Sequence, residues 1–543
     1  MRTPPLASLL VQRMMKLPPP ITRDLVIERD LRVPMRDGTV LLADRWAPRA
    51  GGQGLPVALL RGPYGRGGPV AMQLVRPLAE RGFQVLLQSA RGSGGSGGEF
   101  VPLRNERLDG LDTVEWMCKQ PWFGESIVLY GPSYLGFTQW AIADQAPAQV
   151  KAMISAVTET TLGLGFLREE AFSLESAFGW GVLVGMQERS WATARFLLGA
   201  RRRRRAELTL PLSSADQVAL GERSQIIQDF LAHDSQSPHW SGADASEGVE
   251  DVEIPASLVA GWFDVFLAGQ LRDYARLHAA GRRPRLTIGA WSHSSPGVMS
   301  TMLDEALGFG LAHAHGTAPA DRTPVRVFVM GAEQWKDLSS WPPPGYAARR
   351  LHLRSGGRLT VEPPTTAGAD GYRYDPADPT PAVGGTRMVP GRKAGRVDNT
   401  RLEARPDVLT YTSDPLSEDL EIIGEVAAQI WFRSSLPHAD VFVRVCDVDP
   451  QGRSTNITDG LTGLTTADEL SRAEVTLTPT AYLFRRGHRI RIHVSSGAFP
   501  QYNRNLGTGE PRHAATRIRV ADQQVHHGPE HPSAILVPAR TDR

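Results

Sequence analysis

The chain has 543 residues, too many for one core, so two or three domains are expected. A hydrophobic content of 41%, a charged content of 22% and a formal charge of +2 are those of an ordinary globular protein and exclude a dedicated nucleic-acid binder. About five of the 60 basic residues are lysine, a bias that reflects coding composition rather than function. The two cysteines, Cys118 and Cys446, lie far apart and in different predicted domains, so neither a disulfide framework nor a cysteine–histidine metal spacing is expected. No apolar run reaches the roughly 18 residues needed to span a bilayer. The patch Leu6 to Val11 is short and lacks a small-residue cleavage site, and it reads as a loose tail or docking segment. A cytoplasmic location follows by default, with no membrane partner.

In chain order, Leu25 to Trp46 alternates around Arg36-Asp37-Gly38, a hairpin signal. Val57 to Leu60 is a short apolar strand that ends in the loop Gly62-Pro63-Tyr64-Gly65-Arg66-Gly67-Gly68. Val85-Leu86-Leu87 is a second strand and runs into the glycine-rich loop Arg91 to Gly98. Leu108 to Met117 has helical spacing. The apolar run Ile127-Val128-Leu129-Tyr130 then leads into Gly131-Pro132-Ser133-Tyr134-Leu135-Gly136 and a further helix. A serine between small residues at a strand-to-helix turn is a nucleophile elbow, although the usual second glycine arrives one place late, at Gly136. This alternation predicts an α/β fold with a doubly wound, mostly parallel sheet. Glu169 to Leu198 and Val218 to Leu231 predict a helical insertion. Sheet strands resume at Ser257-Leu258-Val259-Ala260 and Leu286-Thr287-Ile288. Beyond about residue 323, short alternating segments such as Val325–Met330, Ala427–Phe432, Val441–Val445 and Ile490–Val494 predict an all-β sandwich or jelly roll. The expected division is a hydrolase domain over 1–158 and 250–322, a helical cap over 159–249 and a β-domain over 323–543.

A serine hydroxyl is a poor nucleophile at neutral pH and needs a histidine base oriented by a carboxylate. In this fold the acid and then the base follow later strands. Asp264, in Gly261-Trp262-Phe263-Asp264, and His293, in Trp291-Ser292-His293, fall in those places and in that order. With Ser133 they make the candidate triad. The Tyr134 backbone N–H, at the start of the helix, is the candidate oxyanion donor, and the Tyr64 phenol is a second one.

These residues resemble the cocaine esterase-like hydrolases, relatives of the X-Pro dipeptidyl peptidases and the α-amino-acid ester hydrolases. The resemblance runs through Val33-Pro34-Met35-Arg36-Asp37-Gly38, Gly62-Pro63-Tyr64, Gln120-Pro121-Trp122, the elbow, and the segments carrying Asp264 and His293. It continues through Val329-Met330-Gly331, Trp335, Trp341-Pro342-Pro343 and Ser495 to Leu506. It implies an α/β-hydrolase domain, a helical cap and a C-terminal jelly roll. It also implies the triad Ser133, Asp264 and His293, an oxyanion hole of Tyr64 and the Tyr134 N–H, and no metal or organic cofactor. The late glycine of the elbow is itself a mark of that family. One departure is Gln88-Ser89-Ala90-Arg91-Gly92, where relatives commonly carry an acidic residue.

Asp264 is followed by Val265-Phe266-Leu267-Ala268, without the carboxylates by which amino-ester hydrolases bind an ammonium group. Phe266 matches an aromatic position that lines the acyl pocket of cocaine esterase. An uncharged aliphatic or aromatic acyl group is therefore expected, and a carboxylesterase is the leading function. An acylase, an X-Pro dipeptidyl peptidase and an inactive fold with a carbohydrate-binding β-domain are the alternatives. Trp180, Trp191 and Phe196 in the cap read as core before pocket. The run Arg201 to Arg205 reads as a solvated face. The expected partner is a small ester or amide, and a homo-oligomer stays open.

Overall fold

A computed structural model describes residues 5–161, 165–167, 171–187, 192–389 and 391–541. Its first sheet has ten strands: β1 (Leu25–Pro34), β2 (Val40–Pro48), β3 (Val57–Gly62), β4 (Gln84–Ser89), β5 (Ile127–Pro132), β6 (Val150–Ala156), β7 (Ala256–Phe263), β8 (Arg285–Ser292), β9 (Val325–Val329) and β10 (Gln334–Leu338). Their order is β1-β2-β4-β3-β5-β6-β7-β8-β9-β10, parallel from β4 to β9 with antiparallel strands at both ends. The predicted hairpin is the β1–β2 pair, and Gly38 takes the left-handed conformation its turn requires (φ 82°).

The central strands β3, β5 and β7 are buried along their whole length, which is why they read as unbroken apolar runs rather than as alternation. Their side chains still alternate between two cores. Ile127 and Leu129 join one, with Trp140 and Phe137. Val128 and Tyr130 join the other, with Val298, Met302 and Phe309. The helix Tyr134–Ala143 is buried on every side because it is packed against both the sheet and the helix Glu106–Cys118.

The turn from β5 into that helix explains the glycine spacing. At Gly131 (φ 151°), a side chain would meet Leu135 Cβ at 2.4 Å. At Gly136, a Cβ would lie 2.4 Å from Thr158 Cγ2 and 3.2 Å from Ser155 Oγ. The second glycine is thus needed where the helix presses on the end of β6, one place later than in the common signature.

Between β6 and β7 lie the helices Leu174–Met186, Ala192–Leu198, Ala200–Glu207, Ala215–Leu220 and Gln225–Ala232. The arginine run corrects the sequence expectation in part. It forms the helix Ala200–Glu207, and the helical period turns Arg203 inward, where its guanidinium stacks on Phe196 at 3.7 Å while Arg201, Arg202, Arg204 and Arg205 stay exposed. Trp191 lies outside the described residues.

The second sheet runs β13-β20-β15-β21-β11-β12-β14-β19-β16-β17, with β18 paired to β15. Its strands are β11 (Tyr346–Arg354), β12 (Arg358–Thr360), β13 (Gly368–Tyr374), β14 (Leu409–Thr412), β15 (Leu420–Ser434), β16 (Ala439–Val448), β17 (Ser454–Leu464), β18 (Ser471–Phe484), β19 (Arg489–Ser495), β20 (Ala521–His527) and β21 (Ala534–Arg540). This is the expected C-terminal all-β region, with one correction. Val325–Met330 was assigned to the β-domain, but β9 pairs in parallel with β8 and closes the first sheet with β10. Alternation alone cannot say which sheet a strand joins. Met330 then bridges to Tyr482 of β18, so this segment is the seam between the two sheets.

Gly136→Ala is predicted to cost about 1–3 kcal/mol by overpacking. Thermal unfolding followed by calorimetry checks this, and adding Thr158→Ser, which removes the methyl but leaves the residue's Cβ 2.8 Å from the new one, is expected to restore only part of the loss.

Candidate active site

Ser133 occupies a conformation few side chains adopt, φ 57° and ψ −126°. Backbone bonds hold it there. Its N–H donates to the Ala156 carbonyl (2.9 Å), and its own carbonyl accepts from the N–H groups of Gly136 (2.8 Å) and Phe137 (3.0 Å). The hydroxyl is thereby placed at the start of a helix, where the first amides have no acceptor inside the helix. The Tyr134 N–H is the first of these.

Asp264 follows the end of β7 and is 1% exposed. One oxygen, Oδ1, accepts the Phe266 N–H (2.9 Å). The other, Oδ2, pairs with His293 Nδ1 (2.7 Å). His293 follows directly on β8. With Nδ1 engaged, Nε2 is the ring nitrogen left for proton transfer. The His293 ring packs against Phe266, 5.6 Å between centroids, and Phe266 and Ser133 line one cleft.

Tyr64 sits just past β3. Its oxygen accepts a hydrogen bond from Trp180 Nε1 (3.0 Å), and Ser133 is a further hydrogen-bonding neighbour. Burial pushes the Tyr64 phenol up from its ordinary value, outweighing both contacts, so it keeps its proton across the physiological range. Tyr134 spends its side chain on structure. Its hydroxyl donates to Glu106 Oε1 (2.7 Å) and accepts the Leu103 N–H (3.0 Å). Burial and the adjacent Glu106 carboxylate hold that phenol well above the usual range. Glu106 in turn pairs with the buried Arg61 at 2.9 Å. Gln88 Oε1 accepts from Arg61 Nε (2.7 Å) and Thr113 Oγ1 (2.9 Å), so in this stretch a neutral residue meets Arg61 while Glu106 supplies the compensating charge.

The cleft at Ser133 is walled by Phe137, Phe166, Trp180, Phe230, Phe266 and Met388. Phe166 stacks on Phe266 (5.2 Å) and Trp180 packs on Phe230 (5.8 Å), so the wall is a connected aromatic surface. Met388 comes from the loop before β14. That loop is tied to the cap by ion pairs of Arg387 with Glu175 and of Arg392 with Glu207, the latter at 2.7 Å.

Among the described residues one carboxyl lines the cleft, that of Glu159, just beyond β6. It is 2% exposed, and its Oε1 accepts the Gly165 N–H (2.8 Å). Burial drives its pKa well above the usual carboxylate range, and the nearby Asp273 and Asp264 add to the rise, while Arg272 and the Gly165 N–H oppose it. Burial at this place thus favours its neutral form over the carboxylate. Two groups of side chains with metal-ligand spacing, Asp229/His233/His239 in the cap and Glu403/Cys446/His493 in the β-domain, share no residue with this cleft.

The structure brings Ser133, Tyr64, Tyr134 and Phe266 together, with the Asp264–His293 pair adjoining through Phe266. Sequence reasoning missed Phe166, Phe230, Met388 and Glu159 and placed Trp180 in the core. Aromatics at helical spacing look alike in a core and in a pocket wall. Nothing local connects Met388 to a serine 255 positions earlier.

Comparison with known proteins agrees with this picture. Residues 37–295 match the X-Pro dipeptidyl-peptidase (S15 family) model, and residues 318–536 match its C-terminal non-catalytic domain. The chain is 32% identical over 573 residues to a cocaine esterase from Rhodococcus sp. (strain MB1 Bresler), covering 94% of this chain and 98% of that protein. It is 26% identical over 508 residues to a putative serine esterase, Mb1866c, of Mycobacterium bovis (strain ATCC BAA-935 / AF2122/97), covering 77% of this chain and 79% of the other. Similar solved structures include an aminopeptidase from a marine-sediment Thaumarchaeota archaeon (TM-score 0.80, 21% identity, 95% of this chain and 97% of that one). An α-amino acid ester hydrolase is similar as well (TM-score 0.78, 22% identity, the same coverages). At those identities the two structures support the fold alone.

Glu159→Gln, which keeps the shape and the neutral state, is predicted to change kcat/KM for a neutral ester by less than about threefold, the scale of one uncharged hydrogen bond. Steady-state kinetics on p-nitrophenyl butyrate check this, and a loss of tenfold or more would mean that the ionised carboxylate is required.

Proposed function

Because this chain belongs to the X-Pro dipeptidyl-peptidase (S15) family, and is by that membership a serine hydrolase, we propose that it is a carboxylesterase for esters with an uncharged aliphatic or aromatic acyl group. Ser133 Oγ attacks the ester carbonyl while His293 Nε2 takes its proton. Asp264, bonded to Nδ1, holds the ring in place and stabilises the imidazolium. The negative charge on the carbonyl oxygen falls between the Tyr134 N–H and the Tyr64 hydroxyl. When the intermediate collapses, the C–O bond to the alcohol breaks and His293 returns the proton to the leaving oxygen. Water, deprotonated by His293, then attacks the acyl-serine, and the acid and a free Ser133 hydroxyl are released.

The observation that carries the acyl assignment is the cleft itself. It is walled by aromatic rings, and among the described residues its one carboxyl is that of Glu159, whose burial disfavours the charge a buried ammonium group would need as its partner. The cocaine esterase among the relatives favours ester substrates in the same way. Cleavage of amides or of X-Pro peptides uses the same groups and is the second reading, favoured by the family's own description.

Matched p-nitrophenyl esters separate the readings. Butyrate is expected to give a kcat/KM above that of 2-aminobutyrate, and p-nitrophenyl esters to be preferred to aminoacyl-prolyl amides. The reverse order on both would favour the peptidase. Tyr64→Phe is predicted to lower kcat roughly 10²–10³-fold, and an unchanged kcat would remove Tyr64 from the oxyanion hole.

A further inference from the structure

We propose that Trp180 is a positioning residue that sets the direction of the Tyr64 hydroxyl proton. The inference rests on the reading of Tyr64 as an oxyanion donor. An indole N–H can only donate, whereas a phenol has one proton to give and lone pairs to accept. In the Trp180 Nε1–Tyr64 contact at 3.0 Å, the phenol oxygen is therefore the acceptor. Its single proton must point away from the indole, and Ser133, which lines the same cleft as Trp180, is the hydroxyl's other neighbour. The indole thus turns the Tyr64 O–H toward the reacting centre before any substrate arrives, which is the preorganisation an oxyanion hole needs.

Trp180 is itself held firmly. It is 7% exposed, its ring stacks on that of Tyr134 at 6.1 Å and 13°, and it packs against Phe230 at 5.8 Å. Burial alone does not account for the bond. Among the described residues no acceptor meets the buried indole nitrogens of Trp46, Trp140 and Trp240, so burial of a tryptophan does not by itself bring one. The two residues also come from different layers, Tyr64 from the loop after β3 and Trp180 from the cap helix Leu174–Met186. On this account the cap completes the oxyanion hole as well as walling the acyl pocket.

The test replaces Trp180 with β-(3-benzothienyl)alanine, which keeps the bicyclic shape, and so the pocket wall, and puts sulfur in place of N–H. With p-nitrophenyl acetate, butyrate and octanoate, kcat is expected to fall roughly tenfold, the scale of one hydrogen bond. KM should stay unchanged and the fall should be equal for all three chains. In a Tyr64→Phe background, the same shape-conserving replacement should cost nothing further. An unchanged kcat for the benzothienyl protein, with Tyr64→Phe still impaired, would overturn this inference and leave the proposed function standing. A loss that grows with chain length, or that persists without the Tyr64 hydroxyl, would make Trp180 a pocket wall only and overturn it equally. If Tyr64→Phe itself had no effect, the underlying reading would fall and this inference with it.

Discussion

The site depends on one strained backbone turn. Ser133 is held at a positive φ between a buried strand and a buried helix, and every neighbour in that turn is chosen to permit it. Gly131 makes room for Leu135, Gly136 for Thr158, and Gly62 for the Leu135 side chain, whose Cδ1 would lie 2.7 Å from an added Cβ. The strain is sustained because the turn is bonded to β6 through the Ala156 carbonyl and capped by a helix with no exposed face. What the turn gains is a hydroxyl clear of its own strand and the first amides of a helix beside it.

Around that turn the charges follow a single logic. Buried ions are paired: Arg61 with Glu106, and Glu175 with Arg387. Glu159, which lines the cleft, differs in that burial favours its neutral form. A cleft of this kind favours the uncharged acyl group by excluding the alternative, since an ionised partner would have to be created at the cost of desolvation. Asp264 is equally buried, but two hydrogen bonds meet it, one from the Phe266 amide and one with His293, so its charge is put to use.

Much of this was legible in the amino-acid sequence. The strand runs at 57–60 and 127–130, the elbow glycines, and the order of Ser133, Asp264 and His293 all stand close to one another in the chain or follow a strand end, where local rules apply. What was not legible depended on long-range packing. Val325–Val329 alternates like any half-buried strand, and only its parallel pairing with β8 assigns it to the first sheet. Arg203 carries the same charge as its four neighbours but faces inward on the helix. Trp180 and Phe230 have the spacing of core residues, and the cleft they wall exists only where cap, sheet and β-domain loop meet. Glu159 has no local signal either: the upward shift of its pKa comes from the elements that bury it.

The central claim, that Ser133 forms the acyl-enzyme, is tested most directly by peptide mapping after reaction with a fluorophosphonate. The account predicts a stoichiometric adduct on the peptide carrying Ser133, with ester hydrolysis lost in proportion, and no adduct on the Ser133→Ala protein. Labelling of another residue, or equal labelling of the Ser133→Ala protein, would contradict it.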